Sequence, residues 1–106
     1  MVKSPESKVE FDQLVENAAG KLIVIDFYAT WCGPCKLMAP KFEKLADEFK
    51  DALFLKVDVD ELEDVVENFE IKVMPTFILM KNKEQLALLE GNVPDQLREA
   101  VEQNVK

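Results

Sequence analysis

The chain has no histidine and only two cysteines, Cys32 and Cys35. A structural zinc site usually takes four Cys or His ligands, so this sequence excludes one and no metal ligand is assigned. Basic residues are also in deficit, 13 against 21 acidic, for a net charge of -8. Without a cationic face there is nothing to displace the counterions of a phosphate backbone, which argues against a nucleic-acid partner. No apolar run approaches the roughly 20 residues that cross a bilayer, so no membrane partner is expected. The segment from Met1 to Gly20 lacks both the apolar core of a signal peptide and the Arg-rich, acid-poor character of a transit peptide, which points to an intracellular protein. Glycine and proline, 3 and 5 in number, are too sparse for a disordered or fibrous chain. What remains is a globular chain that is 48% hydrophobic, and residues 1–106 are expected to form a single domain: one sheet with helices on its faces.

The most informative stretch is Trp31, Cys32, Gly33, Pro34, Cys35, Lys36. Two thiols separated by two residues can close a small disulfide ring. A disulfide over so short a loop removes little entropy from the unfolded chain, so a purely structural role has little to recommend it. A C-x-x-C beside a βαβ pattern points instead to redox chemistry. Leu22 to Tyr28 reads as a buried strand, and Pro34 to about Lys50 as a helix. Cys32 therefore falls at a strand-to-helix junction, where free backbone N–H groups and the helix dipole stabilise a thiolate.

The other elements follow from periodicity. Val2 to Pro5 makes at best a short edge strand, because Pro5 cannot donate to a ladder. Ser7 with Glu10 forms a capping box, after which Phe11, Leu14, Val15 and Ala18 recur at helical spacing until Gly20. Met38, Phe42, Leu45 and Phe49 make the apolar stripe of the long helix, which Pro40 should kink. Leu53 to Val57 is a second apolar strand, interrupted by Lys56. Asp60 with Glu63 reads as another capping box, opening a helix through Leu62, Val65, Val66 and Phe69. Thr76 to Met80 and Gln85 to Leu89 are strands joined too tightly for a parallel crossover, so they form an antiparallel hairpin. Asn92 or Val93 caps a last helix, with Pro94 in its first turn and Leu97, Ala100, Val101 and Val105 facing inward. The order βαβαβαββα describes an α/β fold, a mixed central sheet with helices on both faces. Taken alone, the Met74–Pro75 bond is expected to be trans, as about nineteen in twenty X-Pro bonds are.

Asp26 breaks the apolar run of its strand. A carboxylate there is costly unless paired or protonated, and burial should raise its pKa. It is therefore a candidate general base or acid for the thiols, against the plainer possibility that it reaches water or a lysine near the strand end. Lys56 has two readings as well: an exposed lysine, or a cation that reaches Asp26 and tunes its charge.

Asp26, Phe27, Tyr28, Ala29, Thr30, Trp31, Cys32, Gly33, Pro34, Cys35 and Lys36, with Met74, Pro75, Thr76 and Gly91, resemble the thioredoxins over essentially the whole chain, and most of all their animal-type cytosolic form. The resemblance implies the thioredoxin fold and a general protein disulfide reductase that maintains cellular thiol balance. Cys32 would be the exposed nucleophile and Cys35 the more buried resolving thiol, with Asp26 accepting the proton of Cys35 and Lys56 close by. Pro75 would be cis, against the trans expectation, and the Met74 backbone would bond the substrate strand. Trp31, Gly33, Pro34, Val73, Met74, Pro75 and Gly91 would make the docking surface. No bound cofactor is implied beyond the Cys32–Cys35 disulfide, recharged from NADPH by a thioredoxin reductase. Implied partners are that reductase and disulfide-containing proteins such as peroxiredoxins, methionine sulfoxide reductase and ribonucleotide reductase, served by a monomer in the cytoplasm and also the nucleus. Some features depart from the pattern: Pro5 in the first strand, Asn82 and Lys83 in a turn that usually holds glycine, Tyr28 where many members carry a second Trp, and Leu62, Phe69 and Val73 in the region where some animal forms carry further cysteines. Two rival functions use the same residues, a redox-controlled binding module and an oxidase or isomerase of a secretory compartment. Against the second stand the missing signal peptide and the Gly33–Pro34 pair, which the family associates with a reducing couple.

Overall fold

Alternation along one strand, Ile23–Tyr28 (β2), sets the layering of the protein. In the computed structural model, which describes every residue from Met1 to Lys106, Leu22 and Val24 join one apolar cluster while Ile23, Ile25 and Phe27 join another. A strand that feeds two cores has to be apolar at successive positions, and β2 is the middle strand of five. Across the sheet the order is β1 (Val2–Lys3), β3 (Leu53–Asp58), β2, β4 (Thr76–Lys81), β5 (Glu84–Glu90). β1, β3 and β2 are parallel; β4 runs antiparallel to β2, and β5 antiparallel to β4. The β1 ladder stops at Lys3, before Pro5, whose ring is buried.

Helices cover both faces. On the side of Ile23 and Ile25 lie α1 (Lys8–Glu16) and the single turn α3 (Glu63–Val66), which contribute Phe11 and Val65 to that cluster. On the other side, α2 (Gly33–Glu48) and α4 (Pro94–Asn104) contribute Met38, Phe42, Leu45, Leu97 and Val101. Phe42 packs its ring on Phe54 of β3 and Phe77 of β4, with centroids 5.3 and 5.7 Å apart. This contact fixes α2 over the centre of the sheet, each buried aromatic stabilising by about 1.5–3 kcal/mol. Arg98 of α4 ties to Glu48 of α2 at 2.6 Å. α2 continues through Pro40 as one helix.

Several boundaries differ from those that periodicity implies. Ser7 Oγ accepts the Glu10 N–H at 3.1 Å, as a capping box requires, but α1 ends at Glu16 with Asn17 as its cap, and the left-handed residues Ala19 and Gly20 (φ 51° and 87°) turn the chain before β2. The Asp60–Glu63 box does not form. Helix α3 starts at Glu63 with Leu62, buried in the core, at the cap position and no side-chain cap bond, and the Asp60 carboxylate accepts the Trp31 indole N–H. The Met74–Pro75 peptide is cis, which corrects the trans expectation. Asn82 and Lys83 form a two-residue turn with φ of 53° and 66°, both left-handed.

Candidate active site

The two-residue period that puts Leu22 and Val24 under α2 puts Asp26 there too. Beyond the end of β2, the Cys32 N–H bonds the Ala29 carbonyl at 3.2 Å and turns the chain into α2. Cys32 is the N-cap of that helix in extended conformation, and its sulfur accepts the Cys35 N–H at 3.2 Å. Pro34 suits the first turn because a missing N–H there leaves nothing unsatisfied. The two cysteines are joined by a disulfide, with their Cα atoms 5.3 Å apart.

In this oxidised state the contrast in exposure expected between the two thiols is absent: Cys32 is 6% and Cys35 5% exposed. The reason is local. Both sulfurs sit in one cluster with Ala29, against Tyr28, Val59 and Met74. What distinguishes them is their partners. Cys32 Sγ receives the helix N–H and lies 3.5 Å from the Met74 carbonyl oxygen, whereas Cys35 lines an inner cleft of about 280 Å³.

That cleft is shared by Asp26, Tyr28, Cys35, Lys36, Ala39 and Lys56. Asp26 is 1% exposed, and its Oδ1 has no hydrogen-bond partner. Burial pushes its carboxyl up to about 7, opposed by the Lys56 ammonium. Lys56 stands opposite Asp26 in the parallel β2–β3 register. Its ammonium, however, lies over the Tyr28 ring, 4.6 Å from the centroid, and makes no ion pair with Asp26. A carboxyl that is half ionised near neutral pH, in the same cleft as a sulfur, can take or return a proton there. Burial also raises the Tyr28 phenol, helped by the nearby carboxylates of Asp58, Glu61 and Asp26.

The rim around Cys32 comes from three segments. Trp31 is 66% exposed, and Gly33, Pro34 and Val73 are exposed beside it, with Met74 and Gly91 half-buried. Pro75 is buried and so does not present itself to a partner. Its carbonyl instead takes the Gly91 N–H at 2.8 Å, fastening the 73–76 segment to the end of β5. Thr76 Oγ1 donates to the Val73 carbonyl at 2.6 Å, closing the same turn. Gly91 adopts φ 90°, a conformation that glycine accepts without strain.

Two residues of the site escape sequence reasoning as functional positions. Asp60 Oδ2 accepts the Trp31 indole N–H at 2.9 Å, a contact across 29 residues that no local spacing signals. Tyr28 forms part of the cleft wall and carries the Lys56 ammonium, a contact across the β2–β3 pair that its place in an apolar run does not signal. A larger cleft of about 580 Å³ at the opposite end of the strands, among Lys3, Lys21 and Lys50, contains neither cysteine. No group of three or more His, Cys, Asp or Glu side chains is arranged to hold a metal ion.

Comparison with known proteins agrees with this geometry. The family profile described as Thioredoxin matches residues 2–103. The chain is 49% identical over 96 residues to Thioredoxin-1 of Caenorhabditis elegans, covering 91% of this chain and 84% of the relative. It is 44% identical to Thioredoxin-1 of Saccharomyces cerevisiae, covering 98% of this chain and 99% of the relative. Among solved structures, thioredoxin NaTrxh from Nicotiana alata superposes with a TM-score of 0.95 at 36% identity, over 99% of this chain and 93% of that one.

Proposed function

The chain belongs to the thioredoxin family and is a thiol–disulfide oxidoreductase with the Cys32–Cys35 disulfide as its redox centre, and from that premise we propose how its residues share the reaction. General reduction of protein disulfides is the activity typical of the family. In the reduced protein Cys32 is the attacking thiolate. Its sulfur bonds to one sulfur of a substrate disulfide, that S–S bond breaks, and the departing substrate thiolate takes a proton from solvent. Cys35 then gives its proton to Asp26, directly or through water. The Cys35 thiolate attacks the Cys32 sulfur, closing the internal disulfide and expelling the second substrate thiolate. Two electrons pass from the dithiol to the substrate.

The observation that carries this assignment is the hydrogen bond from the Cys35 N–H to Cys32 Sγ at the start of α2, with Cys35 and Asp26 in one cleft behind it. A thiolate at Cys32 gains that bond and the helix dipole. Cys35 has the proton acceptor beside it, and Lys56 moderates that acceptor's charge. Trp31, Gly33, Pro34, Val73, Met74 and Gly91 dock the substrate, with main-chain bonding at Met74, while Pro75 holds the rim together.

Partners follow from the family: a thioredoxin reductase supplying electrons from NADPH, and proteins bearing reducible disulfides. A flat, largely apolar rim selects by access to a disulfide more than by sequence, which suits varied substrates such as peroxiredoxins, methionine sulfoxide reductase and ribonucleotide reductase. The protein acts as one domain and a monomer. Its work lies in the cytoplasm, where thiols are kept reduced, and in the nucleus, which shares that poise. No helix is long and apolar enough to cross a membrane. The test is NADPH consumption with thioredoxin reductase and a protein disulfide, comparing the chain with Cys32→Ser. Rapid turnover lost in the variant is expected; turnover that survives the substitution removes Cys32 as the attacking thiol.

A further inference from the structure

Lys56 and Asp26 face the same side of the sheet as direct neighbours in the β2–β3 register, yet the ammonium rests on the Tyr28 ring and the Asp26 Oδ1 is left without a partner. Two opposite charges placed side by side in a largely buried site ordinarily close on each other. Here an aromatic face competes for the cation. Tyr28 lies two residues beyond Asp26 on β2 and therefore on the same face, so its ring flanks the pair on the outer side. A cation over an aromatic face is stabilised to an extent comparable with a partly exposed ion pair, so the ring can decide where the ammonium sits.

We propose that Tyr28 is a positioning residue for proton transfer: its ring holds the Lys56 ammonium out of a direct ion pair with Asp26 and so leaves that carboxyl free to exchange a proton with Cys35. This deepens the assignment of Asp26 as the proton acceptor and rests on it for its functional meaning. The charged and titratable groups around the cleft divide by element. β2 brings Asp26 and Tyr28, β3 brings Lys56 and, opposite Tyr28, Asp58, α2 brings Cys35 and Lys36, and the segment after β3 brings Glu61 near the phenol. Of the cations, only Lys56 acts on Asp26 strongly enough to oppose the effect of burial, so its position is the variable that counts. With the ring removed, the ammonium can close on the carboxylate and favour its ionised form.

The experiment reads the Asp26 carboxyl directly, by carbon NMR titration of the oxidised protein carrying labelled aspartate, in Tyr28→Phe, Tyr28→Leu, Lys56→Met and the double variant Tyr28→Leu/Lys56→Met. Tyr28→Phe keeps the aromatic face and should keep the midpoint of the parent protein. Tyr28→Leu should lower the midpoint by about one pH unit, as a newly close opposite charge does. On the Lys56→Met background the same Tyr28→Leu change should have no such effect. A midpoint that does not fall in Tyr28→Leu overturns the proposal. So does a fall that persists without Lys56, since water entering past the smaller side chain would then be its cause. Should Tyr28→Leu fail to fold, the Phe variant and Lys56→Met still decide: a midpoint that moves in Tyr28→Phe, or that does not rise in Lys56→Met, is equally fatal. The assignment of Asp26 as proton acceptor is judged separately, by whether Asp26→Asn changes the pH profile of mixed-disulfide release.

Discussion

The backbone N–H of Cys35 points at the sulfur of Cys32 from 3.2 Å. The contact exists because Cys32 caps α2: its extended backbone folds the side chain over the first turn, where a helix leaves N–H groups without intrahelical partners. Pro34 fits the first turn, and a Cβ at Gly33 would meet only open space, so the contact does not depend on glycine there. When the disulfide is reduced, the same N–H meets a sulfur that can carry full negative charge.

This asymmetry predicts which thiol attacks. In Cys35→Ser, Cys32 keeps the positive end of α2 and loses its resolving partner, so mixed disulfides through Cys32 should accumulate, detectable by mass spectrometry of trapped complexes. Cys32→Ser should trap none. Complexes that form through Cys35 in Cys32→Ser at a comparable level would reverse the roles.

Trp31 donates to Asp60 at 2.9 Å, which holds an otherwise exposed indole across the rim. Asp60→Ala should cost less than about 1 kcal/mol of stability, because the bond is exposed to water. Freeing the ring should weaken docking, raising KM for a protein disulfide by about 2–5-fold, the equivalent of roughly 0.5–1 kcal/mol, with kcat moving less. Trp31 is the only tryptophan, so its single indole N–H resonance reports loss of the bond. An indole resonance that stays put while KM rises would assign the effect to the lost charge instead.

Much of the fold was legible because its elements show their period locally. Leu22 to Tyr28 is apolar at successive positions because β2 feeds two cores, and Met38, Phe42 and Leu45 repeat at helical spacing because α2 feeds one. Partners far apart in the chain left no such trace. Asp60 has the spacing of a helix cap, but the Trp31 indole, 29 residues away, claims its carboxylate. Lys56 had two readings until the β2–β3 register set it beside Asp26 and the Tyr28 ring claimed its ammonium. The trans expectation at Pro75 came from the intrinsic preference of an X-Pro amide, whereas the isomer present belongs to a segment fixed by Thr76 and Gly91. Asp26 stood out in the sequence because a carboxylate breaks the local consistency of a central strand.

Lys83 sits at φ 66° in the β4–β5 turn, a conformation costing a residue with a Cβ about 1–2 kcal/mol that glycine does not pay. Its ammonium bonds Glu16 at 2.7 Å, but both side chains are exposed and such a pair contributes little. Lys83→Gly should therefore stabilise the protein by about 0.5–1 kcal/mol in denaturant unfolding, after the greater freedom of glycine in the unfolded chain is subtracted. A net loss would show that the Glu16 pair outweighs the backbone.

Asp26 should make stability and activity pull in opposite directions. Its carboxyl has an ordinary pKa of 3.8 in the unfolded chain and about 7 in the folded protein. Between those values the folded state holds a proton that the unfolded state has released, so stability falls as pH rises through this window, and above about 7 the loss is complete. Each pH unit of the window corresponds to about 1.4 kcal/mol, so the full loss is on the order of 4 kcal/mol. Asp26→Asn never ionises. Its gain in stability should be small near pH 3.5 and reach about 2–4 kcal/mol at pH 8, measured by guanidinium unfolding of the oxidised proteins across that range. A gain of equal size at every pH would assign it to packing and not to charge. The same variant should release mixed disulfides about tenfold more slowly, or worse, at pH 7, if the cleft has lost the group that we propose takes the Cys35 proton. A variant both more stable and as fast would show that the buried carboxyl has no part in the reaction; one more stable but slower would show that an unpartnered acid under α2 is kept for its chemistry at the expense of the fold.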